Sequence, residues 1–137
     1  MPNLIFVLLI IFSPFAYAID SKLSCKVFVH GMPKADLEID FTGTTSIRDS
    51  VTITGKNGKF HIELVWDGYY EGVPLNPEMR ILYLNLDETS VILEAYKNFD
   101  LQKYSNEYTS ENDDNIGVRT ADEIVYLSCD YLKINRR

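Results

Sequence analysis

Apolar and polar residues alternate with a period of two through most of this chain. Leu37, Ile39 and Phe41 interleave with Asp36, Glu38 and Asp40, and Phe60, Ile62, Leu64 and Trp66 interleave with His61, Glu63, Val65 and Asp67. Successive side chains of a β-strand point to opposite faces, so this spacing predicts strands with one buried and one wet face. Cys25, Val27 and Val29 share a face near one end of the chain, and Val125, Leu127, Cys129 and Tyr131 share one near the other. No stretch carries a convincing helical period. Phe99 to Tyr108 is ambiguous, because Leu101, Tyr104 and Tyr108 lie at helical spacing and a short helix or an irregular strand both fit.

Turn chemistry groups these strands. Gly55-Lys56-Asn57-Gly58-Lys59 separates Val51-Thr52-Ile53-Thr54 from the Phe60 strand and holds the Asn-Gly pair favoured where φ must be positive. A two-residue loop pairs Ile53 with Ile62, and a four-residue loop pairs Ile53 with Phe60. A three-residue loop would set Ile53 against His61, so the parity of the apolar faces excludes it. Met79 to Leu86 is apolar on both faces and reads as a central strand, with Val91 to Tyr96 as its hairpin partner. About seven strands are expected, near residues 22–30, 35–42, 46–54, 59–66, 79–86, 90–97 and 123–134. They compose a single all-β domain, an antiparallel sandwich or small barrel.

The N-terminus bears on where such a domain works. An uncharged run from Leu4 to Phe12 is followed by Pro14 and by Ala16-Tyr17-Ala18, small residues at the two positions a signal peptidase reads. The run is too short for the ~20 residues that cross a bilayer as a helix, so residues 1–18 are expected to be a signal peptide and residues 19–137 the mature domain. A retained anchor is the alternative, and no Lys or Arg precedes the run. The expected location is secreted or periplasmic, with no membrane attachment after cleavage. In that compartment the two cysteines are expected to form one disulfide, Cys25–Cys129. Closing a loop of about a hundred residues removes roughly 4 to 5 kcal/mol of denatured-state entropy, and it requires the first and last strands to lie side by side or face to face.

Thirteen basic and twenty acidic side chains give a net charge of −7. Nucleic acid is excluded as a partner, because the basic pair Arg136-Arg137 is far too small a phosphate-binding surface. An acidic surface instead favours a basic protein or a cell-envelope component. The chain has no Gly-x-Ser-x-Gly elbow, phosphate loop, dinucleotide fingerprint or His-Glu-x-x-His motif, and no Asn-x-Ser/Thr sequon. Neither a cofactor nor a metal is expected.

Three segments carry side chains suited to a site. Asp67 to Pro77 holds Tyr69, Tyr70 and Glu71 between glycines, a composition that suits a contact loop, and these three are the candidate binding residues. The alternative is a loop folded back over the end of the domain. Ser110 to Gly117, followed by Asp122 and Glu123, offers oxygen ligands, but Ile116 occupies a ligand position of the calcium-loop register and a solvated acidic loop explains it better. Asp36, Glu38 and Asp40 form a row whose spacing fits a two-carboxylate hydrolase and equally fits the wet face of a strand. His30 and His61 have no further ligands at metal spacing. The function expected is a noncatalytic binding, inhibitor or accessory module. The alternatives are a small carboxylate-dependent hydrolase and a structural subunit that self-assembles through an exposed β edge.

Overall fold

A computed structural model describes residues 21–41, 46–101 and 115–133; residues 1–18, expected to be a signal peptide, Ser110 to Asp114 and most of Phe99 to Tyr108 lie outside them. Ten strands run in order: β1 (Ser21–Val29), β2 (Met32–Asp40), β3 (Ile47–Thr54), β4 (Lys59–Trp66), β5 (Tyr69–Tyr70), β6 (Val73–Pro74), β7 (Glu78–Leu84), β8 (Val91–Asn98), β9 (Asn115–Arg119) and β10 (Ile124–Lys133). One antiparallel sheet has the order β2-β1-β10-β9 and the second β3-β4-β7-β8, while β5 and β6 form a separate small hairpin. The architecture is a sandwich. One apolar cluster fills the space between the sheets, with Leu23, Val27, Ile39 and Leu127 from the first packed with Phe60, Ile62, Trp66 and Ile81 from the second. Burial alternates along β7 and β4 as the sequence pattern requires, except at Glu63.

Cys25 and Cys129 stand directly opposite each other on adjacent strands β1 and β10, with Cα atoms 4.0 Å apart, and are joined by the disulfide. Of the two geometries the bond allowed, the structure has the side-by-side one. Both cysteines are buried, and Met79 of the second sheet brings its sulfur to 3.1 Å from Cys129 Sγ across the core. The β3–β4 connection is the four-residue loop, with Thr54 opposite Lys59 and Ile53 opposite Phe60, closed by Gly55 N–H donating to Gly58 O at 2.8 Å. β7 lies between β4 and β8 as its two apolar faces demand.

Three strands exceed the expected seven. β5 and β6 arise inside the tyrosine loop, where Glu71 and Gly72 take φ of 50° and 78° and make a two-residue primed turn. β9 arises where the acidic loop was expected. Ile116 and Val118 alternate with Asn115, Gly117 and Arg119, too short a pattern to stand out beside the acidic residues before it. Gly117 has a specific place there: it lies opposite Tyr126, whose ring stacks on Phe28 at 4.7 Å, and a Cβ at 117 would press on the Tyr126 Cβ. It is a strand residue, not the glycine of a calcium loop.

Candidate functional site

The loop from Asp67 to Pro77 divides its two tyrosines between structure and surface. Gly68, at φ 87°, turns the chain out of β4, and Leu75 N–H closes the hairpin base on Gly68 O at 2.8 Å. Tyr69 turns inward: its ring meets Trp66 edge-on at 5.4 Å and its hydroxyl donates to Phe41 O at 3.2 Å. Trp66 in turn donates its indole N–H to Leu75 O at 2.8 Å. These bonds fix the loop on the end of the core. Tyr70 stands directly opposite Val73, and the two side chains are 66 % and 56 % exposed. Glu71 is exposed at the turn.

The anchored loop walls a trough of about 470 Å³ on the outer face of the second sheet. Its floor is a cross-strand row, Arg48, Val65, Glu78 and Asn98, one residue from each strand in register. Asp67, Leu75 and Asn76 form the wall. Asn76 also braces the chain after β8, its Oδ1 accepting from Leu101 N–H at 3.0 Å.

Alongside the floor runs a charged row. Glu63 lies on the outward, polar face of β4 yet is only 3 % exposed, because long cationic side chains fold over it. Arg80, directly opposite on β7, reaches it at 3.3 Å, while Arg48 and His61 approach from β3 and from its own strand, each at 3.6 Å. Thr52 Oγ1 holds the other ring nitrogen of His61 at 3.1 Å. Arg80 bridges carboxylates: its Nε and Nη2 both donate to Glu78 Oε1, and Glu94 lies 3.7 Å from Nε. The hydrogen bond with Glu78 raises the Arg80 pKa above the ordinary arginine value; burial opposes the rise, and the charges of Glu78, Glu63 and Glu94 add to it.

What remains available in the trough is therefore specific. Glu78 Oε2 and both oxygens of Asp67 have no hydrogen-bond partner among the described residues, and Arg48 forms its ion pair there with Glu63. The arrangement offers carboxylate oxygens to a cation beside the small apolar surface of Val65 and Leu75. The charged cluster was missed in the sequence because His61 and Glu63 read as the solvated face of a strand. A Glu opposite an Arg across β4 and β7 is visible only once the register is known.

The other expected sites are placed differently. Asp36, Glu38 and Asp40 lie exposed on the outer face of the first sheet, where Lys26 donates to Asp36 at 3.3 Å and Lys22 to Glu38 at 3.0 Å. None of the three lines the trough. Asp122 and Glu123 serve a turn: Lys56 N–H donates to Glu123, Asn57 Nδ2 to Asp122, and Thr120 Oγ1 to Glu123 Oε2. Among the described residues no group of three or more His, Cys, Asp or Glu could hold a metal ion. His30 sits exposed in the β1–β2 turn at φ 51°. No helix among the described residues is long and apolar enough to cross a membrane.

No family model matches the chain, and neither a curated protein nor a solved structure shows significant similarity to it.

Proposed function

We propose that this protein is an exported, noncatalytic binding module that holds a basic partner between the trough and the tyrosine hairpin. The observation that carries the reading is the pairing of available carboxylate oxygens, at Asp67 and Glu78, with exposed Tyr70 on one anchored loop. A rigid loop presents an aromatic ring at little entropic cost, and tyrosine gives a contact both apolar area and a polar end. The net charge of −7 favours a basic partner and disfavours nucleic acid. Export, to the periplasm or the exterior, is supported by the apolar N-terminal run and by a buried disulfide, a bond that persists in oxidising compartments.

The test is recovery of a partner from extracytoplasmic material on the oxidised protein, compared with Tyr70→Ala and with Asp67→Asn combined with Tyr70→Ala. The reading expects stepwise loss of the same partner at unchanged thermal stability. Equal recovery by all three proteins overturns it.

A further inference from the structure

Strand β8 ends its sheet, and among the described residues no strand hydrogen-bonds to its outer side. Such an edge offers a row of backbone donors and acceptors to any extended chain that reaches it. The register fixes which ones. Phe99 N–H donates to Pro77 O, and Lys97, Ala95 and Leu93 follow in the same phase, opposite Met79, Ile81 and Tyr83. In an antiparallel ladder the residues between them turn their N–H and C=O the other way. Glu94, Tyr96 and Asn98 therefore aim their backbone groups out of the sheet.

The side chains around this edge are unusually apolar for an exposed surface. Val91, Ile92 and Tyr96 are more than half exposed, and Leu93, on the core side of the strand, is still 43 % exposed. Edge strands are usually blunted by bulges or inward charges. Here a bulge lies at Leu84 and Lys97 shares the inward face with Leu93, toward the two ends of β8, so among the described residues neither device interrupts the stretch from Leu93 to Tyr96.

From this geometry we infer that β8 accepts an extended segment of the partner as a fifth strand, one in which apolar and basic residues alternate. The inference rests on the reading that the partner is basic. Residues of an added strand directly opposite Glu94, Tyr96 and Asn98 point to the same outer face as those side chains. A Lys or Arg opposite Glu94 meets a half-exposed carboxylate. One opposite Asn98 continues the trough floor and points toward Glu78, two strand spacings or about 10 Å away, within reach of a long basic side chain. The alternate residues face the core side, where apolar groups cover Leu93 and Ala95. A second copy of this chain fits the edge poorly, since each copy carries −7.

The probe is a synthetic ten-residue peptide of alternating Val and Lys, titrated into the oxidised protein. Two further peptides carry backbone N-methyl groups on all the Lys or on all the Val residues. Strand addition expects the peptide to slow amide hydrogen exchange at Glu94, Tyr96 and Asn98. It also expects methylation of the Lys amides, which face β8 when Lys lies on the outer side, to weaken binding about tenfold or more, and methylation of the Val amides to leave it within about twofold. Glu94→Lys should weaken the unmodified peptide. Equal effects of the two methylation patterns, absence of binding, or a peptide-free dimer that protects these amides each overturn the inference. Binding that ignores methylation removes strand addition while leaving the basic-partner reading standing; loss of the partner-recovery result removes that reading itself.

Discussion

The carboxylate of Glu123 accepts the backbone N–H of Lys56, 67 residues earlier in the chain. The contact ties the β9–β10 turn of one sheet to the β3–β4 turn of the other. Gly55 permits it, because a Cβ there would lie 3.0 Å from the Glu123 oxygen and from the Phe60 ring. Glu123→Ala removes the acceptor and strands a partly buried N–H, so a loss of about 1 to 3 kcal/mol is expected in urea unfolding. Lys56→Ala, which deletes only an exposed ion pair with Asp122, should stay within about 0.5 kcal/mol of the parent.

Reducing the disulfide, or replacing both Cys25 and Cys129 by Ala, should lower stability by roughly 4 to 5 kcal/mol, since the bond closes a separation of 104 residues. The urea midpoints of oxidised and reduced protein measure this directly. A shift of less than about 1 kcal/mol would mean the reduced denatured chain keeps the two ends together.

Arg80→Met should destabilise by roughly 2 to 3 kcal/mol, and more than Glu63→Gln, because it leaves the buried carboxylate short of its nearest cation. The pH dependence follows in sign. In the parent, Arg80 has a raised pKa, and its stabilisation is complete at every pH below the unfolded arginine value, lost only on strongly alkaline titration. Urea unfolding of parent and Arg80→Met at neutral and at strongly alkaline pH measures the difference, which should narrow only at the alkaline end.

Tyr69→Phe deletes the hydroxyl that donates to Phe41 O and should cost about 0.5 to 1.5 kcal/mol. Tyr70→Ser should change stability by less than about 0.5 kcal/mol, as expected of an exposed side chain. Thermal melts of the pair test the division of labour between adjacent tyrosines. Equal losses would contradict it.

Gly58→Ala should be among the most damaging single changes in the β3–β4 turn. A Cβ at this position would overlap the Leu84 carbonyl oxygen and the Tyr83 ring, so the turn must lift off β7. A loss of about 1 to 3 kcal/mol or more is expected by chemical denaturation.

Much of the fold is legible in the residues themselves. The alternation around Cys25 and Cys129 put both on buried faces. The parity of Ile53 and Phe60 left two hairpin registers, of which the four-residue loop is observed. The two-faced apolar run at Met79 to Leu86 marked the centre of a sheet. β9 and the β5–β6 hairpin escaped because two to five residues are too few for a period to emerge. The trough was only half visible: Asp67 and Leu75 lie in the loop singled out for Tyr69 and Tyr70, but Arg48, Glu78 and Asn98 come from three other strands.

By itself, then, the sequence determined which residues face inward, since a period of two is a local consequence of the extended backbone and apolar side chains must leave water. Tertiary structure alone decided which faces meet. Glu63 and His61 carry the pattern of solvated residues, and only the pairing of β4 with β3 and β7 covers that carboxylate with Arg48 and Arg80. Tyr69 and Tyr70 are chemically identical neighbours, and only the turn at Gly68 sends one to Trp66 and the other to solvent. Register and crossing are set by contacts between residues far apart in the chain, and no local pattern records them.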